Sequence, residues 1–148
     1  MKNIDELYTT ADHNGETLYF IDALLAIPYT GIVVDKSDNI VEWMFETVNG
    51  KQEGLEKTYF PNGKLKQIAE YKNNLQYGVS KEYDQEGNMT SASIVWNNGY
   101  IKTLVINEGQ VVSVDEKHFA DNTKIPDRIS YLLELSQKEL INYQFDNR

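Results

Sequence analysis

From Val41 onward the chain alternates short apolar runs with pairs of Gly, Asn or acidic residues. The runs are Val41 to Phe45, Leu55 to Phe60, Leu65 to Tyr71, Val79 to Tyr83, Met89 to Trp96, Ile101 to Ile106 and Val111 to Val114. Their β-branched and aromatic content predicts strands. A helical period is missing from this region. One face of the first run reads Val41, Trp43, Phe45, Thr47. Its counterparts are Leu65, Gln67, Ala69, Tyr71 and then Met89, Ser91, Ser93, Val95. The other face reads Glu42, Met44, Glu46, then Lys66, Ile68, Glu70. The first face is expected to meet the core. Both are mixed, as in an extended sheet with a thin core.

The polar pairs keep time. Asn14-Gly15, Asp38-Asn39, Asn62-Gly63 and Glu86-Gly87 recur every 24 residues, and a shorter copy follows at Glu108-Gly109. Asn49-Gly50, Asn73-Asn74 and Asn97-Asn98 share that period. Gly31, Gly54 and Gly78 form a looser series at intervals of 23 and 24. Gly and Asn are the residues that most readily take the left-handed conformation of tight turns. Asn74 and Asn98 standing where Gly50 stands favours a backbone reason over a chemical one.

Two turns per repeat predict a mainly β fold, an antiparallel β-meander of hairpin repeats with a short C-terminal helical cap. Residues 1–114 form the repeat array, with 1–28 an atypical first repeat, and 115–148 form the cap. In the cap, Pro126 suits the first turn of a helix carrying Ile129, Leu132, Leu133 and Leu135. Ser136 followed by Glu139 is a capping box that starts a second helix. This tail is expected to cover the last strand, whose open edge would otherwise invite aggregation.

Hydrophobic content of 41% suffices for a packed core. Lys+Arg 14 against Asp+Glu 23 gives a net charge of −9, which disfavours non-specific attraction to nucleic acid or to an anionic membrane. Without cysteine there is no disulfide framework, no thiol nucleophile and no cysteine metal site. The longest apolar stretch, Ala23 to Pro28, is far short of a membrane span, and the N-terminus has no signal-peptide pattern. A soluble, cytoplasmic protein is expected.

Catalytic chemistry finds little footing. His13 and His118 lack ligand spacing and read as loop histidines. Ser80, Ser91 and Ser93 lie on predicted strands, with no GxSxG elbow. Phosphate-binding glycine loops are absent. Carboxylate pairs are unavoidable among so many acidic residues and therefore uninformative. No catalytic residue, metal site or cofactor is assigned, and the chain is not expected to be an enzyme.

The segments GLEKTYFPNGKLKQIAEYKNN and GVSKEYDQEGNMTSASIVWNN resemble variant MORN repeats. The run Tyr59-Phe60-Pro61-Asn62-Gly63-Lys64-Leu65 and then Tyr71-Lys72-Asn73-Asn74 carry the likeness, and Pro28-Tyr29-Thr30-Gly31 resembles the opening of such arrays. Residues 15–112 are covered. The chain resembles most the YwqK-type bacterial antitoxin family, which implies an immunity protein that neutralises a toxin made in the same cell. Asn74 and Asn98 depart from the family's Gly, and Val95-Trp96 replaces its Tyr-Lys. The Tyr-Glu-Gly pattern of membrane-associated MORN proteins is missing. A MORN-type scaffold or membrane-associated interaction module is the alternative.

The acidic residues Glu42, Glu46, Glu56, Glu70 and Glu82 recur along the sheet. They read either as a solvated face or as a surface that steers a basic partner, such as a nuclease toxin. Trp43, Tyr59, Tyr71, Tyr83 and Trp96 supply aromatic anchors for the same partner, and equally suit the sheet's own core.

Overall fold

The computed structural model describes residues 1–145. The fold is mainly β. In chain order come β1 (Lys2–Asn3), a 3₁₀ turn (Ile4–Glu6), β2 (Tyr8–Ala11), β3 (Thr17–Phe20), β4 (Gly31–Ser37), β5 (Ile40–Val48) and β6 (Lys51–Tyr59). Then follow β7 (Leu65–Lys72), β8 (Leu75–Tyr83), β9 (Met89–Trp96), β10 (Gly99–Asn107), β11 (Gln110–Glu116), α1 (Asp127–Leu133) and α2 (Gln137–Ile141). Strands β4 to β11 form one antiparallel meander in sequence order, and β1 extends it in parallel with β4. Strands β2 and β3 make a separate hairpin.

The turn clock is a backbone device at both ends of the sheet. The pairs Asp38-Asn39, Asn49-Gly50, Asn73-Asn74, Asn97-Asn98 and Glu108-Gly109 all have positive φ at both residues. That is the two-residue turn whose twist matches its flanking strands. Gly63 and Gly87 instead close longer loops, their amides bonding back to the Phe60 and Asp84 carbonyls.

Asn74 and Asn98 do more than supply backbone freedom. Asn74 donates its amide to the Gln52 carbonyl at 2.9 Å, and its Oδ1 accepts the Gln52 amide at 2.7 Å. Asn98 does the same to Gln76 at 3.0 and 2.8 Å. Each Asn therefore staples its turn to the preceding repeat. The expected backbone reason holds in their positive φ, and these side-chain bonds add to it.

Register sorts the strands into two faces. One row runs Val33, Phe45, Glu56, Ala69, Ser80, Ser93, Thr103; the other runs Val34, Met44, Lys57, Ile68, Lys81, Ala92, Leu104. The first face holds a core only in the N-terminal half, where Val33 and Phe45 pack with Tyr19 and Tyr29. In the C-terminal half the main core lies on the other face, where Val79, Ala92, Ile94 and Leu104 pack with Ile129, Leu132 and Leu140. The expectation of one core-facing side holds for β5 and fails for β9. The cause is visible in equivalent positions: Phe45, Ala69 and Ser93 shrink along one face, while Glu46 and Glu70 give way to Ile94 on the other. The helices cover the face that becomes apolar.

Helix α1 packs on β8 and β9, and α2 on β9. The tail thus covers a face and leaves the last strand open; β11 is almost wholly exposed. Pro126 stands at the N-cap of α1. The Ser136–Glu139 capping box forms with both bonds at 3.1 Å.

At the other end, residues 1–28 fold back instead of adding an antiparallel strand to the meander. Tyr19 donates its amide to the Gly50 carbonyl at 2.9 Å, and Gly50 donates to Tyr29 at 2.7 Å. Strand β3 therefore runs across the turns at one end of the sheet. Among the described residues no helix is long and apolar enough to cross a membrane.

Candidate functional site

Beneath the β2–β3 hairpin lies a partly open cavity of about 380 Å³. The repeat turns build its rim. Asn74 donates Nδ2 to the Thr17 carbonyl at 2.9 Å, and Asn98 donates Nδ2 to Glu16 at 3.3 Å. Tyr19, Trp43, Gln52 and Tyr71 line the interior. Asp12 braces the hairpin loop by accepting the amides of Asn14 and Glu16 at 2.8 and 2.9 Å. Burial works against its charge, yet the hydrogen bonds from Glu16, Asn74 and Asn14 and the nearby His13 hold its carboxyl below the usual range.

Behind the cavity wall sits Glu56, 8% exposed. It accepts from the Trp43 indole at 3.0 Å, from Gln52 Nε2 at 2.7 Å and from the Tyr71 hydroxyl at 3.4 Å. All three bonds are donated to it. Burial, and then the Glu56 charge, push the Tyr71 phenol up to about 12. Burial raises Tyr19 too, with Glu56 again adding to the effect.

A second cleft, of about 460 Å³, opens where the C-terminal helices meet the other face. Tyr143 donates its hydroxyl to Glu70 at 2.9 Å, and Arg128 reaches both the Tyr143 hydroxyl and Glu70. Burial and the Glu70 charge push the Tyr143 phenol up to about 12, against the pull of Arg128. Lys81 donates Nζ to the Ile141 and Tyr143 carbonyls at 2.7 and 2.9 Å and tethers the tail. Burial depresses the Lys81 ammonium.

The ten residues expected to bind a partner are spread over these environments. Trp43, Glu56 and Tyr71 meet at the first cavity. Glu46 and Glu70 lie on the other face, each accepting a backbone amide, of Leu55 and Val79 respectively. Glu42 and Glu82 are exposed, on opposite faces. Tyr59 and Tyr83 are half-buried at the far ends of β6 and β8. Trp96 packs edge-on against Phe119, with ring centroids 5.8 Å apart, beside the helix-covered core. His13 and His118 are both exposed. Among the described residues no three His, Cys, Asp or Glu side chains converge as a metal-ligand set.

Sequence reasoning passed over one surface. The loop from Ile21 to Ile27 is ordered yet apolar and exposed, with Leu24 at 88% and Ile27 at 53%. Asp22 organises it, its Oδ1 accepting the amides of Ala26 and Ile27 at 3.0 and 2.9 Å. Leu25 takes φ 55° there. The signal was an Asp directly before an apolar run with neither helical nor strand period.

Residues 52–73 match a MORN repeat variant. In the structure this segment is the β6–β7 hairpin, from Gln52 to the Asn73 turn, so one MORN repeat corresponds to one hairpin of the sheet. No curated protein matches the chain. Among solved structures, it is similar to a TarM mutant from S. aureus in complex with fondaparinux, α-GlcNAc-glycerol and UDP, at 16% identity and a TM-score of 0.25. That likeness covers 70% of this chain and 20% of the other, so the chain spans about a fifth of the length of that protein.

Proposed function

We propose that this protein is a non-catalytic binding module, built on MORN-like hairpins, that neutralises a cognate bacterial toxin by stoichiometric occlusion in the cytoplasm. The observation that carries the binding role is the Ile21–Ile27 loop. An internal Asp turn holds this apolar loop out to solvent, and exposed apolar patches favour a role in interaction. The net charge of −9 supports a basic partner, a nuclease among the candidates. The MORN repeat match supports a repeat scaffold for interaction. Neutralisation itself rests on the resemblance to the YwqK-type antitoxins. Such binding calls for no cofactor, nucleic acid or membrane.

The test is capture of the tagged protein from its native cells at low and moderate salt, beside a Leu24→Asp/Ile27→Asp variant. A stoichiometric basic partner with a toxic activity, lost from the variant, supports the proposal. Capture of that partner unchanged by the variant removes the loop from the interface. Absence of any partner in cells expressing the neighbouring genes sinks the antitoxin reading. The exposed Leu24 also favours a second reading, a membrane-associated scaffold, which flotation of the wild type but not the variant with liposomes would support.

A further inference from the structure

Glu56 is a buried carboxylate with no counter-charge within ion-pair distance among the described residues. Among the described residues the ion pair is Arg128–Glu70, on the other face of the sheet. Glu56 is instead held by three neutral donors, Trp43, Gln52 and Tyr71, and every one of them lines the cavity beneath the hairpin. The Glu56 charge is felt at the cavity wall, where it adds to the burial that raises the Tyr19 and Tyr71 phenols. The rings of Tyr19, Trp43 and Tyr71 share that cavity, and π faces attract cations. Glu16 adds a second carboxylate at the rim.

These demands converge on one chemical group. An anion would meet Glu56 and Glu16. A neutral apolar ligand would leave the field and the rim carboxylate unanswered. A compact cation carrying N–H donors answers the charge behind the wall, the aromatic walls and the Glu16 carboxylate at the rim together. We propose that this cavity is a receptor site for a primary ammonium group, carried by a free alkylamine or by a lysine side chain of a partner. The site stands apart from the toxin reading, because it needs only the fold and Glu56. Loss of partner capture would leave amine binding untouched.

The Trp43 indole N–H, bonded to Glu56, is the reporter. In ¹⁵N-labelled protein the two tryptophan signals are assigned with a Trp96→Phe variant. The protein is then titrated at constant ionic strength with n-butylammonium, with Nα-acetyl-lysine methylamide, and with n-butanol as the neutral isostere. The expected result is a saturable Trp43 shift from an ammonium compound, none from butanol, and affinity about tenfold lower in Glu56→Gln. Equal response to both amines identifies the ammonium itself as the ligand; response to the lysine derivative alone identifies a partner's side chain. Either supports the site. No saturable shift from either amine, a matching shift from butanol, or unchanged affinity in Glu56→Gln overturns it. Should Glu56→Gln fail to fold, Glu16→Gln at the rim serves, with weakened amine binding expected and undiminished binding counting against the site.

Discussion

The Glu70 carboxylate lies across the bare backbone of Gly78. Its Oε1 accepts the Val79 amide at 2.8 Å, and a Cβ added at Gly78 would stand 2.5 Å from that same oxygen. One repeat earlier Glu46 covers Gly54 in the same way and accepts the Leu55 amide. The device is a bulge closed by a side chain, at a glycine whose φ is +127° in one copy and +99° in the other. In the next copy Ile94 replaces the carboxylate, and this is where the helix-covered core takes over. Glu70 stands at the junction, with Oε1 on the bulge and Oε2 accepting from Tyr143.

Gly78→Ala and Gly63→Ala separate this overlap from backbone strain. Both glycines have positive φ, +127° and +85°, but a Cβ at Gly63 meets nothing within 4 Å. Gly63→Ala is expected to cost about 1–2 kcal/mol from its left-handed conformation alone. Gly78→Ala adds the loss of a buried bond to a charged group, about another 1.5–3 kcal/mol. Urea unfolding of both variants measures the difference, and equal costs would show that Glu70 moves aside freely.

The meander was legible because its turns obey local rules: Asn73-Asn74 and Asn97-Asn98 announce positive φ in any context. The Ser136–Glu139 box was legible for the same reason. Glu46 and Glu70 looked like solvated acids because their glycines, Gly54 and Gly78, lie eight residues on and meet them only across a strand pair. The switch of core face was hidden by distance. Ser93 and Ile94 take their meaning from Ile129 and Leu132, more than thirty residues later, which nothing local connects to them. Likewise Glu56 is held by Trp43, Gln52 and Tyr71 from three strands, and no spacing in the repeat reveals that the N-terminal hairpin crosses the turns.

Asn74 tests whether the turn needs a side chain. Asn74→Gly keeps access to its φ of 70° but loses the bonds to Gln52, Thr17 and Asp12. A cost of about 1–3 kcal/mol is expected, since the buried Gln52 amide loses its partner. Asn74→Ala adds left-handed strain of about 1–2 kcal/mol. Thermal or urea unfolding ranks the three proteins, and a glycine variant as stable as the wild type would return Asn74 to a purely backbone role.

Electrostatic steering can be tested without disturbing the fold, because Glu42 and Glu82 are exposed and their side chains make no hydrogen bond among the described residues. Glu42→Lys/Glu82→Lys changes net charge from −9 to −5, two residues each moving by two units. Stability is expected to stay within about 0.5 kcal/mol. Association with a basic partner should slow several-fold at low salt and converge with the wild type as salt rises. Stopped-flow or surface-based kinetics would show it, and identical rates at low salt would remove steering from the mechanism.

Alkaline pH should expose the two half-buried phenols. Tyr71 and Tyr143 are both pushed from 10.0 up to about 12 in the folded protein. Below pH 10 the phenols are protonated in both states, and their contribution to stability is fully present. Between pH 10 and about 12 the unfolded chain releases these protons while the folded chain retains them, so stability falls as pH rises. Tyr71→Phe removes one of the two groups and is expected to flatten the decline, whatever it costs at neutral pH by freeing Glu56 of one donor. The comparison is therefore of slopes: urea midpoints across the alkaline range, read beside the rise of phenolate absorbance in the folded protein. Parallel slopes for wild type and Tyr71→Phe would mean that Tyr71 ionises as readily in the folded chain as in the unfolded one, and that the field of Glu56 does not reach it.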